Sequence, residues 1–193
     1  MGFKKGERDM NKKSSYGKFD KFLHWFMALN IFATLIFSKG MSTLPDEQKL
    51  VEYGDHGLSV TTIAICLLIR IFWRAREGFP SLPATMSELQ KFLAKLVHYG
   101  LYSVFIAQIC IGVFLASTTK QDFIAKGYNI NYSSFNLVSD SLYDNLIFAH
   151  ITGYWIIVVL LVAHIGAAIK HHLIDKDGVL TRMLPFTRAK EDS

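Results

Sequence analysis

The last apolar stretch of the chain, residues 146–169, limits most strongly what this sequence can fold into. It contains no Asp, Glu, Lys or Arg. As a helix it is about 36 Å long, enough to cross the hydrocarbon core of a bilayer. Two histidines lie inside it, His150 and His164. Their spacing of about four helical turns returns them to nearly the same helix face, about 21 Å apart along the axis.

Ionisable side chains inside a membrane span are costly and face the interior of a helix bundle or a functional site. Two histidines on one face, near opposite membrane surfaces, therefore indicate two stacked cofactor sites. The alternative is a pair of neutral histidines, each hydrogen-bonded to a neighbouring helix.

Four apolar runs are long enough to cross a membrane. The 193 residues are 51% hydrophobic, include only 4 Pro and show no long alternating segments, so helices are favoured over a barrel. We expect an all-α fold, a four-helix transmembrane bundle. The predicted spans are residues 22–41, 53–73, 92–116 and 146–169, in a membrane domain of residues 21–186 between a basic lead (1–20) and a tail (187–193).

Lys and Arg are distributed unequally between the segments that connect these spans. Of 21 such residues, 17 lie before the first span, around the second connection or after the fourth span. The positive-inside rule then predicts that both termini are cytoplasmic in a bacterial inner membrane, and the net charge of +5 requires no nucleic-acid partner. The other segments carry Lys39, Lys49, Lys120 and Lys126.

This topology sorts the histidines into two layers. His56 and His150 lie near the outer surface, and His24, His98 and His164 lie near the inner surface. A haem iron needs two axial ligands at equal depth, and imidazole is a common one. The outer layer offers one pair, while either His24 or His98 can face His164. A closed zinc site requires four ligands, which neither layer supplies, and the sequence has no CxxCH for covalent haem.

Arg70 follows His56 by about four helical turns and therefore lies on the same helix face, at the inner end. An inward-pointing arginine needs an anionic partner. A haem propionate would serve, and so would a lipid phosphate reached by snorkelling. Arg74 and Arg76 are expected to contact lipid.

Motifs in all four spans carry a family resemblance. Spans one and three contain YGKFDKFLHW (16–25) and HYGLY (98–102) with Gly112; span two contains His56 and RIFWR (70–74); span four contains His150 and His164, followed by KHHLIDKDGVLTRML (170–184). With these motifs the chain resembles, over about residues 16–186, the prokaryotic cytochrome b561 family, which holds two b-type haems between four helices.

The resemblance implies that His24 and His164 ligate the inner haem b, and that His56 and His150 ligate the outer one. It leaves His98 in a non-ligand role. Two features depart from the family pattern: the N-terminal lead is longer, and the Pro often found before the third-span glycine is absent.

Two histidine ligands fill both axial positions of an iron, so such haems transfer electrons and do little chemistry on bound ligands. The resemblance further implies exchange of electrons with ubiquinone or another quinone in the membrane lipid. Donors to a quinone headgroup are available at Arg70, His98 and His171. One branch of the family oxidises superoxide at the outer face.

Charge on the outer segments does not favour that last activity. Seven acidic residues against four lysines leave a net charge of −3, which does not speed the capture of an anion. The outer electron donor therefore stays unidentified.

The alternative function is a haem-bearing membrane subunit of a larger dehydrogenase or hydrogenase, docked through the polar loop 117–145. A stand-alone cytochrome would instead be a lone chain or a homodimer. The sequence lacks the Gly and Pro breaks near the middle of the spans that a transporter is expected to have, which disfavours a haem-free transporter.

Overall fold

The computed structural model describes residues 15–118 and 122–187. Predictions about residues 1–14, Lys120 and residues 188–193 fall outside this part of the chain. Four long helices account for most of it, which confirms the helical fold class. They are α1 (Lys18–Phe37), α2 (Asp46–Glu77), α3 (Glu88–Ser117) and α4 (Tyr143–Lys170), and a single π-helical turn, His171–Asp175, follows α4.

Local capping contacts set several of the helix ends. The backbone N–H of Gly17 donates to Asp20 Oδ2 at 3.3 Å, ahead of the first turn of α1. At the start of α3, Gln90 N–H donates to Ser87 Oγ at 3.2 Å and Ser87 N–H donates to Gln90 Oε1 at 2.8 Å, a reciprocal capping box. Gly78 ends α2 with φ +71°, a conformation that side chains with a Cβ disfavour.

Three helical segments are long and apolar enough to cross a membrane: Glu47–Glu77, Glu88–Ser117 and Tyr143–Asp175. They contain the predicted second, third and fourth spans. Apolar side chains also point outward from these helices; Leu68, Phe148 and Val159 are exposed to 67%, 73% and 66%. An apolar outer surface at these positions is what a lipid environment requires.

The first predicted span differs from the structure in two respects. Helix α1 ends at Phe37, before the expected end at Met41, because the chain turns at Gly40 with φ +84°. Helix α1 is also not among the segments apolar enough to span by composition. Its first two turns hold Asp20, Lys21 and His24, which lower its overall apolarity.

The helices associate in two pairs, α1 with α2 and α3 with α4. Apolar side chains of α1 and α2 form the buried core, and side chains of α3 and α4 pack against its edge. The buried members are Leu23, Met27, Ile31, Ile63, Cys66 and Leu67. This arrangement leaves the boundary between the two pairs as the place where polar side chains of all four helices meet.

The bundle has two chemically distinct ends. At the terminal end, where α1 begins and α4 ends, the segment 178–187 folds back beneath the helices. The indole N–H of Trp25 donates to Met183 O at 2.9 Å, and Lys21 Nζ donates to Thr187 O at 2.8 Å. The chain following α4 is therefore fastened to the start of α1.

The opposite end, called the hairpin end, carries a short antiparallel hairpin of β1 (Ile124–Ala125) and β2 (Ile130–Asn131). This hairpin packs on the first turns of α2. Lys126 N–H donates to Gly54 O at 3.1 Å, and Lys126 Nζ lies 2.9 Å from Asp55 Oδ1. Backbone and ion-pair contacts together hold the hairpin against α2.

Gly57 permits this close packing, because a Cβ there would lie 2.8 Å from Ala125 Cα. We expect Gly57→Ala to displace the hairpin and to accelerate amide hydrogen exchange at residues 124–131. Gly166→Ala is the matched control, since a Cβ at that helical glycine meets nothing within 4 Å. Equal exchange in the two variants would show that the hairpin does not rest on α2 in this way.

Candidate functional site

Two histidines from different helices meet at the hairpin end. The rings of His56 on α2 and His150 on α4 have centroids 6.4 Å apart and planes at 78°. Their Nδ1 atoms are buried and have no hydrogen-bond partner among the described residues. Buried polar atoms without partners are costly, so this pair is chemically incomplete as it stands.

Three histidines meet at the terminal end. His164 on α4 lies 6.2 Å from the ring of His24 on α1 and 5.2 Å from the ring of His98 on α3, measured between centroids. His98 donates from Nδ1 to the Ala94 carbonyl, 2.7 Å away in its own helix, and its side chain is exposed. His24 and His164 are half-buried and face each other across the boundary between the helix pairs.

These separations can be compared with those that a metal ion imposes. An imidazole nitrogen binds a first-row metal at about 2.0–2.1 Å and lies about 1.1 Å from its ring centre, so two rings on opposite sides of one ion are about 6.3 Å apart. His56 with His150, and His24 with His164, match that separation. The pair His98 and His164 is about 1 Å too close. The residues present therefore fit two bis-histidine metal centres.

A glycine and a glutamine on α3 position His150. A Cβ at Gly112 would lie 3.2 Å from Cε1 of the His150 ring, so only a glycine leaves that ring its present place. Gln108 Nε2 donates to the backbone carbonyl of His150 at 2.8 Å. Our sequence reasoning did not identify Gln108, although an amide in an apolar span is a recognised signal of contact between helices.

Two arginines one turn apart on α2 have different surroundings at the terminal end. Arg74 forms a buried ion pair with Asp20 at the start of α1, so the expectation that Arg74 contacts lipid is wrong. Arg70 donates from Nε to the Tyr102 hydroxyl at 3.0 Å, and its Nη1 is buried without a partner among the described residues. Arg76, by contrast, is exposed.

His171 lies just beyond α4 and is buried against carboxylates. Its Nδ1 is 2.7 Å from Asp177 Oδ2 and 3.0 Å from Asp175 Oδ2. These three side chains bring their ligand atoms within 4.8 Å of one another, as a metal site would. However, Lys170 Nζ lies 2.6 Å from Asp175 Oδ2, so an ammonium group already provides the positive charge. The cluster serves to close the turn after α4.

Phe123, in the loop before the hairpin, is a further residue of the hairpin end that sequence reasoning did not identify. It is buried, its ring meets His56 edge-on with centroids 6.5 Å apart, and Tyr53 stacks on its other side at 5.0 Å. A phenylalanine in a polar loop carries no signal of such a contact, because the fold alone brings it to α2.

A helical membrane bundle with two facing imidazole pairs is the architecture of a membrane cytochrome. The sequence matches the family described as prokaryotic cytochrome b561 over residues 15–186. The chain therefore belongs to the prokaryotic cytochrome b561 family, which makes it a membrane electron-transfer protein and implies a b-type haem.

Curated relatives agree with this assignment. Cytochrome b561 homolog 1 of Escherichia coli (strain K12) is 28% identical over 178 residues, covering 88% of this chain and 97% of the relative. Cytochrome b561 homolog 2 of the same organism is 29% identical over 182 residues, covering 90% and 93%. The probable superoxide oxidase CybB of Yersinia pestis is 28% identical over 129 residues, covering 65% and 70%.

The contact between Gly112 and His150 leads to a prediction about haem content. We expect Gly112→Ala to push the His150 ring aside and to lower the b-type haem retained per chain after purification. Gly100→Ala is the control on the same helix, since a Cβ there meets only the two flexible Leu160 methyls, at 3.4 and 3.5 Å. Pyridine haemochrome spectra measure both variants; equal haem content would show that Gly112 does not provide space for the ligand.

Proposed function

We propose that this chain transfers electrons across the membrane through two bis-histidine b-type haems. His24 with His164 holds one at the terminal end, and His56 with His150 holds the other at the hairpin end. The observation that carries the proposal is the pair of ring separations, 6.2 and 6.4 Å, at two depths along α4. When bound, each haem supplies reversible one-electron chemistry at its iron.

The protein's contribution is to present and orient the four imidazoles. Each pair would hold one haem iron with both of its imidazoles, which would leave no open position for oxygen or peroxide. The two ligands on α4 are about 21 Å apart along the helix, so the centres are stacked from one membrane surface towards the other. Gln108 and Gly112 hold His150 in place at the hairpin end.

Arg70 supplies a positive charge beside the terminal-end pair. Its buried Nη1 has no partner among the described residues, and a haem propionate is an anion of suitable chemistry. The alternative of snorkelling to lipid phosphate is weakened by the hydrogen bond that holds the guanidinium on the Tyr102 hydroxyl. We therefore assign Arg70 to the propionate.

Quinone exchange fits His98 better than the other two candidates. The His98 side chain is exposed at the surface of α3, while its ring lies 5.2 Å from His164. Because Nδ1 donates to the Ala94 carbonyl, Nε2 of the neutral ring is an acceptor and remains for the hydroxyl of a quinol. His171 is buried against two carboxylates, which makes it a poor donor to a membrane-borne headgroup.

Superoxide oxidation at the hairpin end is a more specific hypothesis within this function. It is favoured by the name of one relative, the probable superoxide oxidase CybB of Yersinia pestis. It is opposed by local charge, since Asp55 neutralises Lys126 at that end. Stopped-flow mixing of the oxidised protein with superoxide tests it, and haem reduction no faster than spontaneous dismutation would exclude it.

Membership of a larger dehydrogenase or hydrogenase complex is the alternative function. The polar loop 117–145 would then face the partner, on the side opposite to the cytoplasmic termini of an inner-membrane protein. Part of that loop is held on α2 as the hairpin, so it presents an ordered surface. Purification in mild detergent distinguishes the functions: a stoichiometric dehydrogenase indicates a subunit, and a lone chain or homodimer indicates a stand-alone cytochrome.

Haem content gives the main test of the proposal. A dithionite-reduced minus oxidised spectrum of the purified chain should show b-type bands and about two haems per chain, since each centre needs two axial ligands. We expect His150→Ala or His164→Ala to leave about one haem, because each removes a ligand from one pair only. His98→Ala is the matched control and should retain both. A colourless protein, or haem content unchanged when His24 and His56 are both replaced, would contradict the proposal.

The role assigned to His98 gives a second test. We expect His98→Ala to slow haem reduction by a water-soluble quinol about tenfold, as loss of a hydrogen bond of about 1.4 kcal/mol in the productive complex would do. Rapid-mixing absorbance at the b-type bands measures the rate. His172→Ala, on an exposed neighbour of the terminal end, is the control. Unchanged quinol reduction in His98→Ala would place the quinone elsewhere.

A further inference from the structure

The contrast between Arg74 and Arg70 raises the question of what holds Arg70 in place. Arg74 is neutralised by Asp20, and both side chains are buried. Arg70 has no acidic partner among the described residues, and its single hydrogen bond there is to the Tyr102 hydroxyl. A neutral hydroxyl orients a guanidinium without cancelling its charge. The full positive charge of Arg70 therefore remains available to a ligand.

Tyr102 is well placed to act as a fixed anchor. Its side chain packs against the apolar core between α1 and α2, as those of Phe105 and Leu161 also do. The position of the hydroxyl is therefore set by packing. Tyr102 accepts from Nε, at one edge of the planar guanidinium. Nη1, at another edge, is buried and has no partner among the described residues.

The charge of Arg70 lies at the same end of the bundle as three histidines. Tyr102, which holds the guanidinium, lies one turn from His98 on α3, and the His98 ring contacts His164. A half-buried cation within a membrane bundle is unfavourable unless an anionic group joins it. The surroundings of Arg70 therefore call for a carboxylate or another anion at this end of the bundle.

We propose that Tyr102 is a positioning residue: it holds Arg70 so that Nη1 is presented to a carboxylate of the haem bound between His24 and His164. This inference rests on the proposed function. To that function it adds Tyr102, a residue that would touch neither the iron nor its ligands. The same guanidinium could instead bind a free anion from solution, and the experiment below distinguishes the two sources.

The physical consequence is a change in reduction potential. A fixed positive charge near an iron favours the reduced form, which carries one more electron. Without the Tyr102 hydroxyl the guanidinium is no longer held, and its average distance from the haem increases. The reduction potential of the terminal-end haem should then fall, while that of the hairpin-end haem should not change.

The experiment is a redox titration of Tyr102→Phe in a His150→Ala background, in which the terminal-end haem alone is expected to remain. We expect the reduction equilibrium to shift three- to tenfold towards the oxidised form; tenfold corresponds to about 59 mV for one electron. Tyr99→Phe is the matched control, the same change one turn earlier on α3 at a side chain that is 65% exposed. It should leave the potential unchanged.

A second pair of variants shows whether Tyr102 acts through Arg70. Arg70→Gln should lower the same potential at least as much as Tyr102→Phe. Adding Tyr102→Phe to Arg70→Gln should then change nothing further, because the group that Tyr102 positions has been removed. A purely structural role of the hydroxyl would instead give an additional shift in the double variant. Titration with and without added chloride or phosphate identifies a free anion, since only then would the shift depend on its concentration.

The outcomes separate this inference from the function on which it rests. A wild-type chain without haem would overturn the proposed function. A haem-loaded Tyr102→Phe with the wild-type potential would overturn the role of Tyr102 alone, as would a shift that depends on added anion. If Tyr102→Phe loses the terminal-end haem, Arg70→Gln decides: the same loss supports the inference, and a retained haem of unchanged potential contradicts it.

Discussion

The arrangement of the whole bundle depends on placing two imidazoles within one apolar helix. A neutral imidazole still carries a donor and an acceptor, and lipid satisfies neither. His150 and His164 must therefore both face protein, and their spacing of about four helical turns lets one orientation of α4 satisfy both. That orientation fixes which faces of α1 and α2 must meet α4, since they present His24 and His56. The spacing between His150 and His164 therefore constrains how α1, α2 and α4 are rotated about their own axes.

The two helix pairs are packed differently from the boundary between them. Within α1 and α2, aliphatic side chains fill the interface. Across the boundary, the rings of His56 and His150 are separated by about the distance that a metal ion between them would impose. Their Nδ1 atoms lack partners among the described residues. A group bound between the facing rings would add contacts that the unfolded chain lacks and would stabilise the folded bundle by mass action. Folding of the bundle and loading of its cofactor are thus linked by the same side chains.

Hydropathy and spacing predicted the four helices and the opposition of His56 and His150, because both depend on distance along the chain. They left His24 and His98, which lie at the same depth, as alternatives. The two rings lie 6.2 and 5.2 Å from His164, separations that depend on helix rotation and not on distance along the chain. The early end of α1 and the fate of Arg74 were missed for similar reasons. The partner of Arg74 is Asp20, which lies on a different helix, and no periodicity of the sequence connects them.

Arg70 and Arg74 show how two arginines on one helix can have different electrostatic roles. Arg74 meets a carboxylate and forms a neutral pair that fastens α2 to the start of α1. Arg70, one turn nearer to the histidines, meets a phenol and keeps its charge. Among the contacts of the described residues, no equivalent cation lies beside the hairpin-end pair, so the two imidazole pairs differ in their charged surroundings. Within the proposed function, this asymmetry would favour the reduced form of the terminal-end centre relative to the hairpin-end centre.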